Sequence, residues 1–187
     1  MGVALATLGL SLMALFVSVN GGYLSILAGM LAMGIGMGLS MTPSTEAITS
    51  SLPRAKQGVA SALNDVTREF GTALGVAMLG ALLANGYRSA IDDKLDGIPA
   101  GAADTAREGI ANAIEVAPKT GSHAQDLVHA AQQSFVDGWQ QAMWIGAAVM
   151  AALLVYVALR GPKNTVPLPP DAEAAPETEV VENVAAR

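Results

Sequence analysis

Four long apolar stretches constrain this chain more than any other feature of its sequence. They run over residues 2–19, 23–41, 59–83 and 142–159, and all but the third are free of charged side chains. The third begins with polar residues and is apolar from Phe70 onward. A helix needs roughly 20 predominantly apolar residues to cross a bilayer. We therefore predict an all-α, polytopic helical membrane protein with four transmembrane helices.

The first stretch has a rival interpretation, a cleaved secretory signal. Such a signal requires a basic segment before a short apolar core, and a small-residue cleavage site after it. No Lys or Arg precedes the apolar core here. The sequence therefore favours a genuine transmembrane helix.

The spans divide the chain into four parts. Residues 1–85 hold three transmembrane helices and a short cytoplasmic loop at 51–58. Residues 86–138 form an external amphipathic helical connection, and residues 139–160 form the fourth transmembrane helix. Residues 161–187 are rich in Pro, Ala and Glu. We expect them to be a disordered, acidic cytoplasmic tail, because they cannot bury enough apolar surface to order themselves.

Two helices are expected to extend beyond their apolar stretches. Proline is tolerated in membrane helices, so the second helix can continue past Pro43 to about Ser50. In the connection, residues 103–116 and 122–135 show apolar side chains at helical spacing. Ser122 is a candidate N-cap for a helix that continues into the fourth span.

Basic residues beside the spans predict the orientation. Lys and Arg in short loops favour the cytoplasmic side. Arg54 and Lys56 follow the second span, and Arg160 and Lys163 close the fourth. We therefore expect a multi-pass protein of the plasma membrane with both termini in the cytoplasm.

Composition excludes several other classes of protein. Charged residues make up 14% of the chain, against about 25% in soluble proteins. The net charge of −6 argues against nucleic acid as a partner. The chain has no cysteine, and its two histidines, His123 and His129, are not spaced as a helical ligand pair. We expect no metal site, no cofactor and no catalytic residues, and therefore no enzyme.

A group of charges at the start of the third span is the candidate for gating or proton coupling. Asp65, Arg68 and Glu69 lie three and four residues apart, so they share one helix face. Glu46 lies near the same level on the preceding helix. A structural salt bridge at the cytoplasmic rim is the simpler interpretation. A proton-coupling network is the alternative, since charges at membrane depth usually face a protein interior or a cavity.

Glycines within the spans are the candidates for helix packing. Gly34 and Gly38 form a GxxxG pair, as do Gly71 and Gly75, and such pairs let helix backbones approach closely. The packing candidates are completed by Gly36 and Pro43 of the second span.

The segment from Gly34 to Gly80 resembles the C-terminal half of the fourteen-span drug:proton antiporters of the major facilitator superfamily. Three patterns carry the resemblance: the glycine-rich span that ends at Pro43, the connection from Leu52-Pro53 to Gly58, and the stretch from Ala60 through Arg68 to Gly75. The resemblance covers about residues 1–162. It implies that these four helices are the last four of fourteen.

The resemblance also implies a function. The expected protein is the C-terminal portion of a multidrug efflux transporter, in which the second helix lines the cavity and the third contacts the N-terminal half. Its partners would be the lipid bilayer, small hydrophobic or amphipathic substrates, protons, and the missing N-terminal half or other copies of the chain. The alternative is a self-contained four-span protein, acting as a homo-oligomer or as a non-transporting scaffold subunit.

Overall fold

Every regular element is helical in residues 1–50 and 56–160, the part of the chain that the computed structural model describes. Within this part, the all-α prediction is confirmed. A 3₁₀ segment, Ala117–His123, joins the last two helices. The helices are α1 (Gly2–Phe16), α2 (Gly22–Ser50), α3 (Gln57–Asp92), α4 (Ala100–Glu108), α5 (Ile110–Val116) and α6 (Ala124–Arg160).

Three helical stretches are long and apolar enough to cross a membrane. They are Gly22–Ile48 of α2, Gln57–Asp92, which is α3, and the run Ile110–Arg160 that contains α6. The first helix, α1, is apolar but has only 15 residues and ends at Phe16. These long apolar helices are those of a helical membrane protein, the class that the sequence predicts.

The second helix passes through its proline. Pro43 lies inside α2, which continues to Ser50 as the sequence suggested. Proline has no backbone N–H, so the carbonyl group of Leu39, four residues earlier, receives no helical hydrogen bond from it. A membrane helix tolerates this loss because neighbouring groups can satisfy the free carbonyl.

Helices α3 and α6 are longer than a bilayer is thick. They contain 36 and 37 residues, which corresponds to about 54 and 55 Å at 1.5 Å per residue. The hydrocarbon core is only about 30 Å thick. Helix α3 therefore continues beyond residue 85, where the sequence analysis ended the third span. Helix α6 begins before the end of the predicted connection at residue 138.

The start of α6 differs from the sequence expectation. The helix begins at Ala124, and Ser122 lies in the preceding 3₁₀ segment, so the proposed cap at Ser122 is wrong. Gly121 adopts φ = 60° in that segment, a left-handed conformation that glycine accepts readily. The expected continuation of this helix into the fourth span is confirmed.

The connection between the spans has a small core of its own. Helical spacing over residues 103–116 yields two helices, α4 and α5, which are separated at Gly109, where the backbone is extended. Their inner faces pack against the end of α3 and the start of α6. The buried residues of this core are Tyr87, Ile91, Leu95, Ala103, Ala106, Ala113, Ala117, Leu127 and Ala131.

A second core joins α1 to α6. Leu10, Met13 and Ala14 of α1 are buried together with Ala142 and Met143 of α6. Partly buried residues of α2 and α3, such as Ile26 and Leu79, pack around them. The first three helices and the middle of α6 therefore share one apolar contact region.

The chain divides into two units, Met1–Val155 and Tyr156–Arg187. All of the packing above belongs to the first unit. In the second unit, residues 156–160 are helical and exposed. The tail at 161–187, and residues 51–55 of the expected cytoplasmic loop, lie outside the described residues.

Candidate functional site

A polar cleft lies between α2 and α3. Its volume is about 310 Å³. Six of its eight lining residues have polar side chains, although both helices are apolar overall. The lining residues are Met37, Ser40, Met41, Ser44 and Thr45 from α2, and Asn64, Thr67 and Arg68 from α3.

The hydroxyl groups of this cleft donate to their own helices. The Ser44 hydroxyl donates to the carbonyl oxygen of Ser40 at 2.7 Å, and the Thr67 hydroxyl donates to that of Leu63 at 2.8 Å. These bonds satisfy the donors without a partner from another helix, as is common for Ser and Thr in apolar helices. The hydroxyl oxygens retain lone pairs that can accept a hydrogen bond from a guest in the cleft.

Arg68, which lines this cleft, pairs with two of the other charged residues predicted from the sequence. The Arg68 guanidinium lies 3.5 Å from the carboxylate of Asp65 and 3.9 Å from that of Glu69. The three side chains are 52–75% exposed within this chain. Exposed pairs typically contribute only about 0–1 kcal/mol to stability. These ion pairs lie within α3, so they do little to hold the described helices together.

Glu46 lies on α2, the other helix of the cleft. It follows Thr45, the last cleft-lining residue of α2, and it is exposed. The structure thus gathers Asp65, Arg68 and Glu69 on one helix and places Glu46 on the neighbouring one. Any role of these four residues in gating or proton coupling stays a prediction.

The sequence analysis missed the uncharged polar members of the cleft. Ser40 and Ser44 lie four residues apart on α2, and Asn64 and Arg68 lie four apart on α3. This spacing places each pair on a single helix face. Polar residues repeated at this spacing within apolar stretches were therefore the signal that could have revealed the cleft.

The predicted packing glycines differ in their surroundings. A Cβ added to Gly36 would lie 2.7 Å from the backbone nitrogen of Ala6 and 2.7 Å from the carbonyl oxygen of Gly2, so α1 and α2 touch there. A Cβ on any of the other four would meet no described heavy atom within 4 Å. These four are Gly34, Gly38, Gly71 and Gly75.

Close packing within the described chain depends on glycines that the sequence analysis did not select. A Cβ on Gly9 would lie 2.8 Å from the carbonyl oxygen of Gly29. Gly2 and Gly9 are separated by seven residues on α1, and Gly29 and Gly36 by seven on α2. The antiparallel helices therefore meet through two glycine contacts two turns apart, and this spacing is a signal that could have been read from the sequence.

The N-terminal half of α3 has little cover. Among the described residues between 61 and 81, only Asn64, Gly75 and Leu79 are partly buried, and the rest are exposed. Leu63, Val66 and Phe70 each expose 65% of their surface. Exposed apolar surface on this scale marks contact with lipid or with further protein.

The described residues hold no cluster of histidine, cysteine, aspartate or glutamate that could bind a metal ion. His129 lies on the exposed part of α6, and His123 ends the 3₁₀ segment. What the α2–α3 cleft offers chemically is hydrogen bonding, thioether contact from Met37 and Met41, and charge from Arg68.

Several long apolar helices in one chain define a multi-pass helical membrane protein. Its relatives include proteins named as a multidrug efflux pump and a multidrug resistance protein. The chain is 34% identical over 139 residues to the multidrug efflux pump LfrA of Mycolicibacterium smegmatis, and the match covers 72% of this chain and 26% of that protein. It is 24% identical over 163 residues to the multidrug resistance protein Stp of Mycobacterium tuberculosis, covering 81% of this chain and 30% of that one.

The chain therefore spans less than a third of the length of these relatives. No family model matches it, and no solved structure matches it. The similarity relates the chain to part of a multidrug transporter rather than to an enzyme.

Proposed function

We propose that the chain contributes four transmembrane helices to a multidrug efflux transporter of the major facilitator type. The single observation that supports this most is the similarity to LfrA over 72% of the chain. The transporter would lie in the plasma membrane, with both ends of this chain in the cytoplasm and residues 86–138 outside. It would export small hydrophobic or amphipathic molecules in exchange for protons.

The α2–α3 cleft supports a transport role. Polar and charged side chains in membrane helices are costly and usually face a water-filled cavity or another helix. Ser40, Ser44 and Asn64 line the cleft, and Arg68 supplies its charge. In the proposed transporter α2 lines the substrate cavity with these residues, and the two methionines adapt to substrates of different shape.

The exposure of α3 supports its proposed place at the boundary with the rest of the transporter. In the proposed transporter, further protein would cover this helix, which carries three charges and exposes Leu63, Val66 and Phe70. Gly71 and Gly75 would let another helix approach its backbone closely. The same surface could meet the N-terminal half of the transporter or other copies of this chain.

Proton coupling would act through the ion pairs of Arg68. Protonation of Asp65 removes the negative charge that faces the guanidinium at 3.5 Å. The arginine is then free to find another acceptor, such as Glu69 or Glu46, and this exchange can favour one state of the cavity over another. The proposed role of the four residues is therefore to gate the cytoplasmic end.

The test is dye efflux from the source cells. The gene is disrupted, and the accumulation of a fluorescent lipophilic cation is measured at several external pH values, with and without the restored gene. We expect disruption to raise accumulation and the restored gene to lower it. Asp65→Asn should abolish most of this efflux and flatten its pH dependence. Asp93→Asn, which removes another exposed negative charge just after the far end of α3, serves as the matched control.

Unchanged dye accumulation after disruption would contradict the transport proposal. Normal efflux by Asp65→Asn with an unchanged pH profile would contradict the coupling role alone. An immunoblot of the source membranes, with an antibody against residues 86–138, separates the remaining alternatives. A band several-fold heavier than 19.0 kDa supports the large transporter, and a band at 19.0 kDa supports a four-span protein that acts as an oligomer or scaffold.

A further inference from the structure

The C-terminal end of α3 carries a small polar patch on a helix face that the described helices leave uncovered. Asn85, Arg88 and Ser89 form this patch; they share one face of the helix, and all three are exposed. Tyr87 and Ile91 lie on the inner side of α3, where they are buried in the core of the connection. That core fixes the rotation of α3 at this level, so the patch points away from the described helices.

The same face of α3 is apolar before the patch. Leu74, Met78 and Ala81 precede Asn85 at helical spacing, and Leu74 and Met78 expose 48% and 59% of their surface. The distance along the helix from Leu74 to Asn85 is about 16 Å at 1.5 Å per residue. Half of the hydrocarbon core of a bilayer is about 15 Å thick. The face therefore turns from apolar to polar over a length that matches one leaflet.

The charge of Arg88 is not neutralised within the described chain. Three other basic residues of the described chain contact a carboxylate, namely Arg68, Lys94 and Arg107. No described carboxylate pairs with Arg88. Asp92 lies one helical turn further on, but its carboxylate accepts a hydrogen bond from the Arg107 guanidinium at 2.6 Å. The Arg88 guanidinium is therefore available to an anion from outside the chain.

The patch has the chemistry of a phosphate site. A guanidinium presents two parallel N–H donors to a phosphate group. The Asn85 amide and the Ser89 hydroxyl are further donors on the same face. In a bilayer, phosphate groups lie just beyond the hydrocarbon, which is the depth at which this face becomes polar. A phosphate that carries acyl chains would also cover the apolar part of the face.

We propose that the face of α3 from Leu74 to Ser89 binds one phospholipid, with its phosphate on Arg88 and an acyl chain against Leu74 and Met78. Charge complementarity and the matching apolar length select a lipid over a soluble anion, which would use the patch alone. Helix α4, tied to Asp92 through Arg107, limits the site on the water side. The proposal does not require that the chain transports anything.

The experiment counts the phospholipids that the full chain retains when native mass spectrometry releases it from detergent micelles with added phosphatidylglycerol. We expect the wild-type chain to retain one lipid more than Arg88→Gln. The dissociation constant of that lipid should rise about tenfold in the variant, because a hydrogen-bonded ion pair is lost. Lys119→Gln removes the same charge from an exposed residue of the connection and should match the wild type. Lipids held by cations elsewhere are common to all variants and cancel in the comparison.

Two further probes distinguish a lipid from a free anion. Glycerol 3-phosphate has the phosphate without acyl chains and should not displace the retained lipid. Diacylglycerol has the chains without the phosphate and should not replace it. Arg88→Lys keeps the charge without the paired donors, so its affinity should fall between those of the wild type and Arg88→Gln.

The proposal is overturned if Arg88→Gln retains as many lipids as the wild type, and an acidic side chain of further protein would then be the better occupant. It is also overturned if Lys119→Gln loses lipid equally, or if glycerol 3-phosphate displaces the lipid. A variant that merely misfolds would make Arg88→Lys and Arg88→Gln indistinguishable, which counts against the proposal as well. Dye efflux is not a readout here, so failure of this site and failure of the transport proposal are distinguishable.

Discussion

Gly86 of α3 and Gly138 of α6 lie directly against each other. A Cβ on Gly86 would fall 2.8 Å from the Cα of Gly138, and a Cβ on Gly138 would fall 2.7 Å from the backbone nitrogen of Tyr87. Both distances are too short for any other residue to occupy without movement of the backbone. The two longest helices therefore cross at this point, between the membrane-spanning stretches and the small core of the connection.

Gly138→Ala should separate α3 from α6. The added methyl group has no space, because the neighbouring atoms belong to the backbone and cannot rotate away. We expect a loss of about 1–3 kcal/mol in the free energy of unfolding, typical of overpacking. SDS-induced unfolding of the micelle-embedded chain, followed by circular dichroism, measures it. Gly146→Ala is the control, since its Cβ would lie at an ordinary 3.7 Å from Leu10 and Leu79.

Gly36→Ala and Gly34→Ala should have opposite effects on the isolated chain, although the two glycines are two residues apart. An alanine at Gly36 collides with the α1 backbone and should destabilise the chain by about 1–3 kcal/mol. An alanine at Gly34 meets nothing within 4 Å and should leave stability unchanged or slightly raised. The same unfolding titration compares them.

Gly34→Ala also tests the packing role predicted for that face. If the face meets another helix in the native protein, the variant should reduce dye efflux in cells while the isolated chain remains as stable as the wild type. Full efflux by Gly34→Ala would contradict that role. A loss of efflux without a loss of stability would point to a contact outside this chain, because no described atom of the chain lies within 4 Å of a Cβ at Gly34.

Tyr87→Phe should loosen α4 from α3. The buried Tyr87 hydroxyl donates to the carbonyl oxygen of Ala106 at 2.8 Å. Its removal leaves a buried carbonyl without this donor, and we expect a loss of about 1–3 kcal/mol. Amide hydrogen exchange should then accelerate in α4. Tyr23→Phe, at a position that is 75% exposed, should change neither stability nor exchange.

Arg107→Gln should have a smaller, salt-dependent effect. The guanidinium bridges Asp92 at 2.6 Å and Asp104 at 2.7 Å, but the three side chains are 43–75% exposed to water. The hydrogen bond with Asp92 raises the pKa of Arg107 above its usual value, and the charges of Asp92 and Asp104 act in the same direction.

A raised pKa in the folded state gives a stabilisation that is complete below the unfolded-state pKa of arginine. It is lost only as the pH rises through the higher folded-state value. Titration of Arg107 should therefore leave stability flat between about pH 6 and pH 9. Thermal unfolding across this range, at low and high salt, measures both effects. The raised pKa of Arg107 would be contradicted if the wild-type chain lost its stability advantage over Arg107→Gln within this pH range.

Particular residues show how far sequence reasoning reached. The absence of charges over residues 23–41 was enough to predict α2, and the tolerance of membrane helices for proline correctly extended it past Pro43 to Ser50. The spacing of Asp65, Arg68 and Glu69 placed them on one face, and their side chains do meet there. These are local properties of one helix, so they follow from the helical repeat alone.

The glycines show where sequence reasoning stopped. The GxxxG spacing selected Gly34 and Gly38, yet the described contacts are made by Gly2, Gly9 and Gly29 together with Gly36. The face of a helix that meets a neighbour depends on the crossing of two axes, and spacing within one helix does not specify that crossing. The same limit hid Gly86 and Gly138, which lie on different helices.

The sequence by itself determined the class of protein, because uncharged stretches of bilayer length have few other stable environments. Only the tertiary structure decided which polar residues meet. Ser40 and Ser44 face Asn64 across the α2–α3 cleft, and Lys94 reaches Asp137 across 43 residues of sequence. The hydrophobicity of a segment can be read from that segment alone. Contacts such as these depend on how distant segments are placed relative to one another, and that placement is fixed by packing.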